Sequence, residues 1–380
     1  MNGIPCAIVR GGTSKGVFLL EEHLPADPGE RDRLLLALMG SPDPRQIDGL
    51  GGADPLTSKV AIVSRSTREG IDVEYESLEI GIGEAQVNHG LMCGNLIAGV
   101  GYFAIAEGLI APQSPVTTIR IFCRSNHKVI AARIPLATIP GDAGAGRSEP
   151  PPVSLRFERP GGAITGQLLP AGEPVSLLPL AAGRLLAVSI VDAGTLYAFV
   201  LASALGLSGD ESVAALDADA GLRANIEALR EQAAAHINRR HASPLAAIGP
   251  RLVKVAIVGP PPPGRRDVDI VARIINRAKT HKAYAVSGGI CLAAAAAVPD
   301  SVVNTLFAPH QSPFALRIGH PSGVLTLTTR WAAGRDGVLI EAAEIARDAR
   351  IILRGTAYPP PAGAAMPLRA VASRLEPFAL

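Results

Sequence analysis

Two stretches of the chain are apolar on almost every helical face. Residues 96–110 read LIAGVGYFAIAEGLI and residues 290–298 read ICLAAAAAV, with no polar stripe and many small residues. A helix of that kind is buried all round, and its Ala and Gly positions let other backbone approach closely. The first follows Met92-Cys93-Gly94-Asn95 and the second opens with Ser287-Gly288-Gly289, so one pattern occurs twice, roughly half a chain apart. The expectation is a tight glycine turn feeding a buried helix, once in each half.

The remaining periodicity in the first half is that of strands. Residues 4–9, 17–20, 60–64, 73–75, 119–123 and 129–134 are rich in β-branched or aromatic residues, with turn residues between them. Among them one surface helix is expected. Asp27 is its N-cap, Pro28 its first residue, Leu34, Leu35, Leu38 and Met39 its apolar stripe, and Gly40 its stop. Residues 140–152, PGDAGAGRSEPPP, read as a surface loop.

A domain boundary is placed at Gly183, ahead of a strand at 185–191 and the turn Asp192-Ala193-Gly194. Ser208 and Glu211 have capping-box spacing, and the Ala/Leu/Glu-rich run through Ile237 reads as one or two helices. Strands come next at 252–258 and 268–274 around a proline-rich turn at 260–263, and strands around Leu316, at 324–328 and at 351–353 are expected to complete a second sheet. The architecture implied is α+β: two pseudo-symmetric domains, each a curled sheet around a central buried helix, with the cleft between them as the expected active site.

A length of 380 residues suits two such domains. Net charge is only +2, which gives no electrostatic reason to expect a nucleic-acid partner. Four cysteines, at 6, 93, 123 and 291, show neither CxxC spacing nor disulfide density. That pattern fits a reducing cytoplasm and argues against a structural zinc site. Hydrophobic residues make up 48 % of the chain, yet every apolar run is broken by Gly, Pro or charge well short of a membrane-spanning length.

The doubled pattern suggests chemistry as well as architecture. A helix start offers unpaired backbone N–H groups and the positive end of the macrodipole, so it holds a carboxylate without a charged side chain. Two such starts facing each other would clamp a polycarboxylate, and Cys93 beside one of them is a candidate to move a proton on a carbon acid. The alternative for Cys93 is a buried structural thiol, and its position directly before Gly94-Asn95 at a helix start favours the site role. The loop Arg10-Gly11-Gly12-Thr13-Ser14-Lys15-Gly16 lacks the residue order of a phosphate loop. Its glycines and hydroxyls suit a carboxylate instead, with Thr13 and Ser14 as contacts and Arg10 either a contact or half of a structural ion pair.

Several segments carry a family resemblance. IPCAIVRGGTSKGVFLL at 4–20, IDGLGGADPLTSKVAIVSRS at 47–66, MCGNLIAGVGYFAIAEGLI at 92–110, THKAYAVSGGICLAAA at 280–295 and RIGHPSG at 317–323 resemble the PrpF family, which contains 4-oxalomesaconate tautomerases and 2-methylaconitate cis-trans isomerases. The resemblance implies the diaminopimelate-epimerase-like fold, with domains at 1–183 and 184–365 and a C-terminal segment, 366–380, that returns to the first. It also implies Cys93 and Lys59 as the proton-transfer pair. Substrate contacts would come from Thr13, Ser14, Gly94, Asn95, His281, Lys282, Ser287, Gly288 and His320. A small polycarboxylate substrate, no cofactor, no metal, and a homodimer or homotetramer complete the expectation.

Departures from the wider fold family narrow the chemistry. Epimerases of this fold oppose two cysteines, whereas this chain has Val286 before its second motif and Cys291 about one turn further in. CGNL also stands where amino-acid epimerases have CGNG. A two-cysteine racemase is therefore disfavoured. The stretches at 40–52 and 22–25 look more like the tautomerase branch than the methylaconitate branch. The function expected is a cofactor-independent tautomerase or isomerase acting on 4-oxalomesaconate. The alternatives are 2-methylaconitate isomerisation and, in another class, a non-catalytic aconitate-binding or aconitase-accessory protein.

Overall fold

The computed structural model describes residues 3–89, 92–136, 151–180, 184–240, 247–275, 279–334 and 337–360. Strands in the first part of the chain are β1 (Ile4–Gly11), β2 (Ser14–Leu20), β3 (Lys59–Arg65), β4 (Val73–Ile80), β5 (Val87–Asn88), β6 (Val116–Cys123), β7 (Lys128–Pro135) and β8 (Val153–Glu158). The later strands are β9 (Ser176–Pro179), β10 (Leu185–Asp192), β11 (Leu196–Leu201), β12 (Val253–Gly259), β13 (Ile270–Ile275), β14 (Phe314–His320), β15 (Gly323–Gly334), β16 (Gly337–Arg347) and β17 (Ala349–Ala357). The α-helices are α1 (Pro28–Met39), α2 (Gly94–Ala106), α3 (Val213–Ala218), α4 (Ala220–Arg240) and α5 (Val286–Ala297). No described helix is long and apolar enough to cross a membrane.

The chain divides into two units. The first comprises Met1–Ser125, Val129–Leu155 and Arg347–Leu380, and the second Asn126–Lys128 and Arg156–Ala346. In the first, β17 and β1 pair antiparallel, as do β1 and β2; β2–β3 is parallel, β3–β4 antiparallel and β4–β6 parallel. Strand alternation gives this sheet two faces. One face (Ile4, Cys6, Val17, Leu19, Val60, Ile62, Leu78 and Ile80) packs on Leu35, Leu38 and Met39 of α1. The other curls around α2, which touches β17, β1, β2, β3 and β4. The small residues of α2 make that approach possible. A Cβ at Gly99 would lie 2.6 Å from Val9, and one at Gly101 would collide with Ile134.

The second unit repeats the plan. Pairing from β10 through β14 runs antiparallel, parallel, antiparallel, parallel, the order seen from β1 to β4 and on to β6. β9 is added antiparallel to β10, and β15 and β16 extend the other side. The apolar stripe of α4 (Leu222, Ile226, Leu229, Ala233 and Ile237) covers one face. The other face holds α5, every residue of which is buried. In each unit the outer helices sit within the first parallel crossover, β2 to β3 or β11 to β12, and the buried helix within the second, β4 to β6 or β13 to β14. The repeat at Cys93 and Ser287 is thus the mark of a duplicated topology.

The structure corrects four expectations. The units divide at Leu155 and Arg156, not at Gly183, which lies outside the described residues. Ala171, Leu178 and Leu180 belong to the second unit's core and β9 pairs with β10, so this segment is fixed to the second unit. The strand around 351–353 does not complete the second sheet: β17 pairs with β1, with Leu353 opposite Ile8 and Ile351 opposite Val9. The chain therefore returns to the first unit well before 366–380, a segment outside the described residues, as is most of the loop at 140–152.

The third correction concerns the glycine turns. Gly94, Gly288 and Gly289 lie inside the first turns of α2 and α5, and none has positive φ. Last, the helix expected to be capped by Ser208 starts later. Ser208 and Glu211 bond to each other, while Ser212 accepts from Ala215 N and caps α3, and Asp219 accepts from Leu222 N at the start of α4. At α1 the reading holds. Asp27 accepts from Glu30 N at 2.8 Å, Pro28 opens the helix, and Gly40 closes it in the left-handed region at φ 76°.

Candidate active site

In β4 the side of the strand opposite Leu78 and Ile80 carries Tyr75, Ser77 and Glu79, because successive side chains alternate. Antiparallel pairing sets Lys59, the first residue of β3, opposite Glu79. Their side chains meet, Lys59 Nζ donating to Glu79 Oε1 at 2.5 Å. The lysine side chain is only 6 % exposed, whereas Glu79 is 42 % exposed. Burial works against the lysine's charge. The carboxylate of Glu79, the nearby Cys93 sulfur and Asp54 outweigh it and hold the ammonium above the ordinary lysine range.

Cys93 is the N-cap of α2, in extended conformation, and its thiol makes no capping bond to the helix. Its backbone is tied on both sides. The N–H donates to Ser77 Oγ at 3.0 Å, and the carbonyl accepts from Tyr75 Oη at 3.2 Å and from Ile97 N at 3.3 Å. Burial pushes the Tyr75 phenol well above its usual range, with Cys93 and Cys123 adding to the effect, so Tyr75 acts as a neutral donor. The half-buried thiol lies 3.9 Å from Ser14 Oγ. The N–H groups of the first turn have no acceptor within the helix, and they begin beside this sulfur.

The β1–β2 turn completes the first-unit site by lying on the start of α2. A Cβ at Gly11 would collide with the Asn95 carbonyl oxygen and lie 3.0 Å from Leu96 Cα. Gly12 adopts φ 51° against the Asn95 amide, with the Arg347 side chain 3.0 Å from where its Cβ would be. Asn95 Nδ2 donates to Thr13 Oγ1 at 3.1 Å. Arg10 Nε donates to Gly12 O at 3.1 Å, and its guanidinium is 3.9 Å from Asp348, which favours the ion-pair reading of that residue. Burial pushes the Arg347 guanidinium down to about 10, partly offset by Asp348. Thr13, Ser14, Lys59, Cys93, Gly94 and Asn95 thus come together in one unit.

The remaining candidates are in the second unit, around the start of α5. Ser287 and Gly288 are in its first turn, and His281 and Lys282 precede it. His320 ends β14, and Ser322 in the next turn donates from its hydroxyl to the Lys282 carbonyl. His281 Nδ1 accepts from Ala283 N at 3.0 Å and His320 Nδ1 from Ser322 N at 3.2 Å. In a neutral ring this leaves Nε2 as the donor in each case. Cys291 is fully buried and donates to the Val191 carbonyl at 3.1 Å; burial drives its thiol far above the ordinary range, so it is an inert core residue.

The missing side chain at Gly288 has a packing reason. A Cβ there would lie 2.7 Å from the Tyr197 hydroxyl. Gly288→Val is expected to lower stability by about 1–3 kcal/mol through overpacking, read as a fall in Tm. An unchanged Tm would remove Tyr197 as the reason for glycine at this position.

A family model described as "PrpF protein" matches residues 1–360. The chain belongs to the PrpF family. It is 36 % identical over 366 residues to the (4E)-oxalomesaconate Delta-isomerase of Novosphingobium sp. (strain KA1), covering 94 % of this chain and 98 % of that one. Among solved structures, methylitaconate-delta-isomerase superposes with a TM-score of 0.70 at 33 % identity, over 93 % of this chain and 95 % of the other. A hydroxyproline epimerase from Agrobacterium vitis matches with a TM-score of 0.57 at 15 % identity, over 94 % of each chain, which shows the epimerase-like fold. The chain is an isomerase.

For this PrpF-family chain the sequence reading missed the acidic and hydroxylic residues behind Lys59 and Cys93, namely Tyr75, Ser77 and Glu79, and also Arg347. A signal for the first three was available. The segment at 73–80 reads VEYESLEI, and its alternation puts Ser77 and Glu79 on the side opposite Leu78 and Ile80, the face that turns out to meet α2. Arg347 carried no local signal, because only the return of β17 to β1 brings it to Gly12.

Proposed function

We propose that the chain catalyses the keto–enol tautomerisation of 4-oxalomesaconate, moving one proton on a small unsaturated tricarboxylate without a cofactor. The observation that carries this is the half-buried Cys93 thiol at the start of α2, set beside a buried lysine held as a cation. Cys93 takes a proton from carbon, and the electron pair of that C–H bond moves through the conjugated system onto oxygen. The Lys59 ammonium and the first-turn N–H groups of α2 stabilise the enolate charge, and a proton returned to carbon or oxygen completes the shift. Thr13, Ser14, Gly94 and Asn95 are assigned to carboxylate binding. The same proposal gives that role to His281, Lys282, Ser287, Gly288 and His320 in the second unit.

The similarity to an oxalomesaconate isomerase supports this substrate. An allylic proton shift on methylitaconate is the second reading, favoured by the likeness to methylitaconate-delta-isomerase, and it uses the same pair. A cytoplasmic setting belongs to the proposal and is supported by the four free cysteines. Purified protein is expected to change the ultraviolet absorbance of 4-oxalomesaconate at a rate of at least about 1 per second, and much faster than that of 2-methylaconitate or methylitaconate. Faster turnover of either of the others would replace the substrate, and no turnover of any would replace the reading with a non-catalytic one.

A further inference from the structure

We propose that Glu79 is a positioning residue that keeps Lys59 in its ammonium form, so that Lys59 serves the reaction as cation and proton donor and Cys93 is left as the proton acceptor. This deepens the isomerase reading above and rests on it for the meaning of the reaction step. The geometry is built into the fold. The β3–β4 register sets the two residues opposite one another, and the ion pair closes at 2.5 Å.

The pair is unequal in its surroundings. Lys59 is buried, while nearly half of the Glu79 side chain faces water. The carboxylate therefore keeps much of its hydration, and the desolvation cost of the pair falls chiefly on the lysine. The groups that face Lys59 are Glu79 from β4, Cys93 from the start of α2 and Asp54 from the segment before β3. All favour the charged amine once the thiol has lost its proton. A lysine acting as the base would have to be neutral at the outset, and Glu79 opposes that state. The arrangement assigns acid and base to different elements: β3 carries the cation and α2 the acceptor.

The test is Glu79→Gln in the full chain. The chain has only six lysines, Lys15, Lys59, Lys128, Lys254, Lys279 and Lys282, so carbon-13 labelled lysine gives a resolvable NMR spectrum, and Lys59→Arg assigns the signal. With the carboxylate gone, burial acts on Lys59 unopposed by its nearest anion. Its titration is expected to move to lower pH by about one to three pH units. The alkaline limb of kcat/KM, where the donor is lost, should move down with it. Glu79→Asp, which draws the carboxylate back by one methylene, should give a smaller movement of both, and it supplies the same readout if the glutamine variant does not fold. An unmoved Lys59 titration overturns the proposal. So does a loss of rate that is equal at every pH, which is what a merely structural role would produce. The NMR titration needs no turnover, so it stands apart from any failure of the substrate assignment.

Discussion

Cys93→Ser is expected to fold normally, bind a polycarboxylate with nearly unchanged affinity, and lose about 10²–10⁴-fold in kcat, the usual contribution of one positioned acid or base. The hydroxyl of serine fits the same space, and the Cys93 contacts that define the start of α2 are made by backbone N–H and carbonyl to Ser77 and Tyr75, so the substitution leaves them in place. What is lost is the sulfur to which the proposal assigns the proton from carbon. Cys291→Ser is the control, since that thiol is buried and bonded to a backbone carbonyl; its kcat should stay within about twofold. Steady-state kinetics on both variants decide the matter, and full activity in Cys93→Ser would remove the cysteine from the reaction.

Lys59→Met is expected to lower kcat by about 10²–10³-fold, the range for removing one donor to a developing oxyanion. Methionine matches the length of the lysine stem and leaves the apolar contacts of β3 in place. Glu79, already half exposed, regains water when its partner is removed, so the fold should tolerate the change. Circular dichroism should therefore be unaltered while single-turnover rates fall. A loss confined to KM would place Lys59 in ground-state carboxylate binding and not in the step that moves the proton.

Local pattern explains why some of this was legible before the structure and some was not. The apolar, small-residue runs at 96–110 and 290–298 fit buried helices, and the close packing on Val9, Ile134 and Leu325 comes from Gly99, Gly101 and Gly289. Cys93, Lys59, Ser14, Thr13 and Asn95 were each visible as candidates, and β-strand register brings them together. Partner choice was not visible. The residues at 351–353 have a strand's composition, but composition does not say which sheet a strand joins. Glycine near a helix start satisfies a turn reading and a close-packing reading alike. Glu79 escaped notice because Lys59 is twenty residues away in sequence and only the hairpin between β3 and β4 makes them neighbours.

The pairing of β1 with β17 also has a meaning in time. Chains are made from the N-terminus and domains tend to fold as they emerge, yet the first unit lacks an edge of its sheet until residues near 350 have been synthesised. Gly12, in the turn that lies on the start of α2, donates its N–H to the carbonyl of Asp348 at 2.7 Å. The turn carrying Thr13 and Ser14 is therefore held by a residue translated long after it. The second unit, whose own sheet is continuous from β9 to β16, can be complete before that happens. A ribosome that stops before residue 348 would release a protein with one finished half and an open first unit, so the turn beside the proposed Cys93 site is fixed only once β17 has been made.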